Sequence, residues 1–264
     1  MAAIVSSLLK IFRRKKPAPL ACTINLDASG EPIANDPSHQ HTSTCFIDFE
    51  ALAVVELFQS QGCQACPPTV PRILDATMSP NLLLLSYNVT IFDHTGWKDT
   101  FASSMADRRQ REYVKKWQRN SLFTPQVVVN GAVDGNGAGG KAEVVDLVGR
   151  ARSMHKAMGW HIYLDANDTE IRIDSDKVEA EVHDVLVVLY RSGEEVVKVG
   201  KGANKGKKIR HRNVVKQVMK IGEWSGGDLT LPLPASKASM KHGEEAAVLV
   251  QAGAGGPIVA AVKV

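Results

Sequence analysis

An α/β segment followed by a mainly antiparallel, β-rich segment is what this sequence predicts, and three observations carry the prediction. Between residues 53 and 155 the apolar and amphipathic stretches follow one another as strand, helix, strand, helix, strand, strand, helix. Beyond about residue 157 the character changes to short alternating segments at roughly ten-residue spacing, separated by Gly and Asp turns. The composition, 264 residues with 44% hydrophobic and 23% charged, suffices for one large core or two modest ones. The division drawn from these is 1–45 as a basic and polar extension, partly disordered, 46–156 as the α/β domain, and 157–264 as a β-sandwich-like domain.

Taken in order, Ala53-Val54-Val55-Glu56-Leu57-Phe58 reads as a strand that runs into a Gly-containing turn, then Cys63-Gln64-Ala65-Cys66, then a helix over 67–78. Residues 82–89 form a continuous apolar run, short enough to be a strand buried on both faces. After a loop containing Phe92-Asp93-His94-Thr95-Gly96-Trp97-Lys98-Asp99, a charged helix is predicted over 103–119, capped by Ser103 or Ser104, with Met105, Tyr113 and Trp117 near one face. Thr124-Pro125 leads into a strand over 126–130, and Asn130-Gly131 signals a hairpin to a short partner over 132–134. A glycine-rich turn then opens a helix over 141–155. That order is the thioredoxin core. Further strands are predicted over 161–164, 170–173, 178–182, 185–190, 196–199, 229–231, 246–251 and 258–262, while 213–221 fits a strand or a two-turn helix equally.

The net charge of +4 is too small to imply nucleic acid unless it is concentrated. It is concentrated in two places: residues 1–26 carry Lys10, Arg13, Arg14, Lys15 and Lys16 without an acid, and residues 196–222 hold nine Lys/Arg without an acid. The second stretch lacks aromatics and so offers no stacking platform, and a glycine-bearing basic hairpin (Gly200, Gly202, Gly206) is more often a solvated loop. No nucleic-acid partner is expected. No window is long and apolar enough for a bilayer-spanning helix, and the apolar-then-basic start reverses the order of a secretory signal. A cytoplasmic location is therefore expected, with a mitochondrial one as the alternative.

Of four cysteines only Cys63 and Cys66 have an informative spacing, while Cys22 and Cys45 read as free structural thiols in a reducing compartment, with pairing to each other as the alternative. A dithiol ahead of a helix meets exposed backbone N–H groups that favour a thiolate, which makes redox chemistry the first reading. A metal site is the competing use: His39, His41 and Cys45 would join Cys63 and Cys66, yet no second closely spaced ligand pair accompanies them. No metal or cofactor is expected.

The runs from Glu56 to Pro68, Gly96-Trp97-Lys98-Asp99 and Thr124-Pro125-Gln126 resemble a thioredoxin-like, two-domain family of unassigned function whose bacterial members are usually secreted. Gly202-Ala203-Asn204-Lys205-Gly206, His211-Arg212-Asn213-Val214-Val215 and Ala247-Val248-Leu249-Val250-Gln251 resemble its β-rich second half. The family's usual signal peptide has no counterpart here. The resemblance implies a thiol–disulfide oxidoreductase in which Cys63, exposed at the helix start, attacks and Cys66 resolves, acting on a protein or small-molecule thiol/disulfide substrate. It implies that Thr124 and Pro125 face the dithiol as a cis-proline loop; Asp93, Trp97 and Asp99 belong to a loop expected at the carboxyl end of the second strand, the same edge as the dithiol, with Trp97 and Asp93 there to meet substrate. The alternative for these two is that Trp97 plugs the domain interface and Asp93 caps a turn. With no positive charge between the cysteines, the Cys63 pKa is expected to rest mainly on the helix terminus and on loop residues such as Lys98. Glu56 is similar to a buried carboxylate that relays a proton to Cys66, although a Glu held by a backbone or Lys partner fits as well. The competing functional reading is a non-catalytic scaffold for protein or ligand binding, or a Cys/His metal-binding protein.

Overall fold

The computed structural model describes residues 51–176, 181–234, 240 and 242–264. The basic extension, Cys22, His39, His41, Cys45 and most of the strand expected over 178–182 lie outside the described residues.

The α/β segment forms β1 (Ala53–Gln59), α1 (Cys66–Ala76), β2 (Leu82–Asn88), α2 (Ser104–Lys116), β3 (Gln126–Val129), β4 (Val133–Gly135) and α3 (Lys141–Lys156), with a 3-10 turn at Asp93–Thr95. Each boundary has a local cause. Ser103 stays extended and accepts the Ala106 N–H, which starts α2 where the sequence expects it. Asn130 and Gly131 both take positive φ (48° and 59°), the conformation a tight β3–β4 hairpin requires, and Ala132 N–H closes the turn on Val129 O at 3.0 Å. β1 is parallel to β2 and antiparallel to β3, and all seven of its residues are buried because both faces of this sheet are covered.

The β-rich segment contributes β5 (Ile162–Ala166), β6 (Glu170–Ser175), β7 (His183–Lys198), β8 (Lys208–Trp224), β9 (Leu229–Pro232), β10 (Glu244–Gln251) and β11 (Ile258–Lys263). Residues 185–190 and 196–199 thus belong mostly to one long strand, and the ambiguous 213–221 lies within another. β7 stays paired with β8 across the charged Arg191 to Glu195 stretch because irregularities at 189/190 and 191/194 absorb the change of register.

The strands form an eight-stranded sheet in the order β11-β10-β7-β8-β2-β1-β3-β4 and a three-stranded sheet β5-β6-β9. The join is between β8 and β2, paired in parallel at Ser86 and Val214. Two side chains reinforce it: Asn213, held at φ 53°, donates to Leu84 O at 2.9 Å, and Arg212 donates to the Thr77 hydroxyl at 2.6 Å. Three apolar clusters fill the unit. Val55, Leu57, Leu84 and Val127 pack with α1 and α3 on one face of β1 to β3. Val54, Phe58, Leu83 and Tyr87 pack with α2, β7 and β10 on the other. Ile171 and Ile173 of the small sheet pack on Val185, Val187 and Val248.

Candidate active site

Beyond Gln59 the chain turns through residues 60–65 before α1 begins. The turn is closed by Cys63 N–H to Ser60 O (3.2 Å), and Cys66 N–H reaches Cys63 O (3.4 Å). Ala65 is the N-cap and offers no capping side chain, and Pro67 and Pro68 carry no N–H. The Ala65 N–H, and the Cys66 N–H that also reaches Cys63 O, are therefore the backbone donors that meet a sulfur at this end of the helix.

Cys63 lies in the turn ahead of the helix, not exposed at its start as the sequence reading has it. It keeps 3% of its surface and Cys66 none. Two segments cover it. One is the loop between β7 and β8, whose buried Asn204 donates to Gln61 O (2.9 Å) and Cys63 O (2.7 Å). The other holds Thr124-Pro125, a cis peptide, whose Thr124 carbonyl accepts the Cys63 thiol at 3.3 Å.

Both cysteines are free thiols, and their surroundings drive them apart. The Cys63 thiol is lowered to about 6. A hydrogen bond from the Cys66 side chain contributes most, and the Thr124 side chain and the Ala65 and Cys66 backbones assist against the opposing effect of burial. The Cys66 thiol is pushed well up, first by burial and then by its hydrogen bond to Cys63 and the charge there. The helix-terminus N–H groups thus contribute as the sequence reading expects, whereas the exposed Lys98 is not among the causes of the Cys63 shift. The Thr124 hydroxyl is buried and has no hydrogen-bond partner of its own, yet it favours the thiolate of either cysteine. Beside the dithiol an open depression of about 530 Å³ is lined by Ala65, Thr69, Phe123, Thr124 and Pro125.

Glu56 is not part of this arrangement. Val55 and Leu57 face α1 together with Cys63 and Cys66, so the residue between them faces the other side of the sheet. There Glu56 is ion-paired with Arg109 and accepts the Tyr113 hydroxyl. Arg109 also donates to Gln251 (3.2 Å) and lies over the Tyr87 and Tyr113 rings. A proton relay from Glu56 to Cys66 is thus replaced by a structural ion pair, with Arg in place of the Lys or backbone partner.

Residues 54–251 match the family described as Protein of unknown function (DUF1223). The chain belongs to that family. Among solved structures, Protein AGR_C_4864 from Agrobacterium tumefaciens is 30% identical, with 81% of this chain and 94% of that one covered and a TM-score of 0.62. HBP35 of Porphyromonas gingivalis is 12% identical, with 82% of this chain and 75% of that one covered and a TM-score of 0.49. No curated protein matches the chain.

In this DUF1223 member Trp97 and Asp93 serve the turn and do not line the depression. Trp97 donates to Gln61 Oε1 at 2.9 Å and its ring lies against Gly200, where a Cβ would come within 2.8 Å. Asp93 accepts the Asp99 N–H at 3.0 Å, and His94 is exposed. Against the dithiol turn is a buried polar cluster, of which the sequence reading places Asp99 at this edge and misses the rest. Asp99 accepts Gln61 N–H (2.7 Å) and the Asn88 amide (2.8 Å), and burial raises its carboxyl against these bonds. His211 sits between the amides of Gln61 (3.3 Å) and Asn88 (3.5 Å), and burial lowers it to about 4, so it is neutral. Gln59, Ser86 and the Asn88 carbonyl carry buried atoms with no protein partner.

The basic stretch divides. Arg210 pairs with Glu194 and Asp75, Lys220 with Asp184 and Glu223, and Lys216 lies over the Phe101 ring. Among the described residues no group of three or more His, Cys, Asp or Glu could hold a metal ion, and no helix is long and apolar enough to cross a membrane.

Proposed function

We propose that this protein is a thiol–disulfide oxidoreductase with a thioredoxin-like first half, and that Cys63 and Cys66 are its catalytic residues. The observation that carries this reading is the opposite treatment of two adjacent thiols. Cys63 is lowered to about 6 by a set of donors, while Cys66 is kept protonated by burial. At neutral pH Cys63 is then largely thiolate.

In the reducing direction, the Cys63 thiolate attacks one sulfur of a substrate disulfide, forming a mixed disulfide and releasing the other sulfur as a thiolate that takes up a proton. Cys66 then loses its proton to solvent or to the released thiolate and attacks Cys63 Sγ. The Cys63–Cys66 disulfide forms, the second substrate thiolate leaves, and two electrons have passed to the substrate. The depression bounded by Ala65 and Thr124-Pro125 is the side from which a substrate sulfur would approach.

One observation favours the scaffold reading instead: Cys63 keeps only 3% of its surface. Alkylation by iodoacetamide across pH separates the two. The redox reading expects an inflection near pH 6 that vanishes in Cys63→Ser, and a mixed disulfide trapped by Cys66→Ser. Reactivity like that of free cysteine, with no cycling against glutathione, would leave the scaffold.

A further inference from the structure

Residues 199–207, between β7 and β8, form a loop tied to itself by Val199 N–H to Lys207 O (3.0 Å), Gly206 N–H to Val199 O (2.8 Å) and Lys207 N–H to Asn204 O (3.0 Å). The loop is seated on Trp97, and it turns one fully buried side chain, Asn204, toward the dithiol turn. The two hydrogens of the Asn204 amide are matched by two carbonyls, Gln61 O at 2.9 Å and Cys63 O at 2.7 Å. Its own oxygen accepts the Lys207 ammonium at 3.0 Å, which fixes the amide with nitrogen toward the turn. The carbonyls so held flank Gly62, and the second belongs to Cys63 itself.

We propose that Asn204 is a positioning residue for Cys63: by gripping the carbonyls on both sides of Gly62 it keeps the Cys63 sulfur against the Ala65 and Cys66 N–H groups and the Thr124 hydroxyl. The inference rests on reading Cys63 as the nucleophile. The geometry needs an amide at 204. An Asp there has the same shape but no donor, and it would set a carboxylate against two carbonyl oxygens. An Ala would leave both carbonyls buried without their partner. Either change frees the turn, so the sulfur loses its donors and moves toward an ordinary thiol.

The charged and titratable groups near the turn are Cys66 on α1, Asp99 on the loop after β2, Lys207 on the β7–β8 loop, His211 on β8, and the Arg119–Asp134 ion pair across the depression. Of these only Cys66 is among the causes that shift Cys63, so the profile reports how the sulfur is seated.

The test is the pH profile of iodoacetamide alkylation of the reduced full chain, in 0.5 M salt to screen long-range charge, for wild type, Asn204→Ala, Asn204→Asp and Lys207→Met. The inflection is expected to move upward by about two pH units in the two Asn204 variants, cutting the thiolate at pH 7 about tenfold, and by a smaller step in Lys207→Met. Folded Asn204 variants with the wild-type profile would overturn the inference while leaving the oxidoreductase reading intact. Should the Asn204 variants not fold, a wild-type profile in Lys207→Met, an exposed position, overturns it. A wild-type protein that already titrates like free cysteine sinks the oxidoreductase reading, and the positioning role with it.

Discussion

The two faces of β1 carry two buried polar groups under opposite conditions. On the α2 face, Glu56 is matched by Arg109 and Tyr113, and Arg109 in turn by Gln251, so both buried charges are paired although the Tyr87 hydroxyl beside them has no hydrogen-bond partner. On the α1 face, Cys63 and Cys66 share donors that fit a thiolate better than a thiol, and Gln59, Ser86 and Thr124 nearby keep buried atoms without protein partners. A satisfied network resists change, whereas a network with spare donors has capacity for a charge that appears during reaction. The contrast teaches that burial alone does not distinguish a structural polar group from a chemical one. Whether the charge already has its counter-charge does.

The largest expected effect lies on the ionic face. Arg109→Met strips the buried Glu56 carboxylate of its counter-charge and should destabilise the fold by about 3–5 kcal/mol in urea denaturation. The Cys63 alkylation profile of the folded fraction should not move, and a shift there would erase the separation between the two faces.

A somewhat smaller effect is expected behind the dithiol. His211 is lowered to about 4 in the fold from an ordinary value of 6.5. The unfolded chain therefore binds its proton first as pH falls. The stability that depends on neutral His211 is full above pH 6.5 and is lost progressively toward pH 4, amounting to about 3 kcal/mol. His211→Gln should flatten that slope in urea titrations at pH 4.5 and 7, and an unchanged slope would remove His211 from the account.

The smallest effect sharpens the dithiol face itself. Thr124→Val keeps the shape and deletes a hydroxyl that has no fixed partner, so stability should hold or rise slightly. Alkylation of Cys63 at pH 5 should slow about threefold, the result of a rise of roughly half a pH unit in its titration. No change in rate would mean that the hydroxyl does not reach the sulfur.

Much of the α/β segment was legible because its signals are local. The apolar runs at 53–58 and 82–85, the Ser103 cap and the Asn130-Gly131 turn each fix an element without help from distant residues. β7 was harder to see, since Arg191 to Glu195 interrupt its apolar alternation at an irregularity, beyond which pairing with β8, including the Glu194–Arg210 ion pair, carries the strand on. Residues 213–221 could not be assigned alone, because what holds Asn213 out of helical geometry is a bond to Leu84 far away in sequence.

The site divides in the same way. The cysteine spacing and Thr124-Pro125 are written in short motifs, but Asn204 and His211 enter only through contacts more than a hundred residues distant. A buried Asn inside a glycine-rich, lysine-rich loop gives no periodic signal. The misplacement of Glu56 was avoidable in principle, since β1 alternates faces and Val55 and Leu57 claim the dithiol side.

The parallel pairing of β2 with β8 at Ser86 and Val214 has a consequence for how the molecule comes apart. β8 covers what would otherwise be the open margin of β2, so a chain cut after α3 would leave a row of unpaired amides and carbonyls ready to recruit another chain. Removing the later strands would also remove the loop that bears on the dithiol turn. Proteolytic nicking within that loop, with both fragments still joined along the seam, would loosen the sulfur while sparing the sheet.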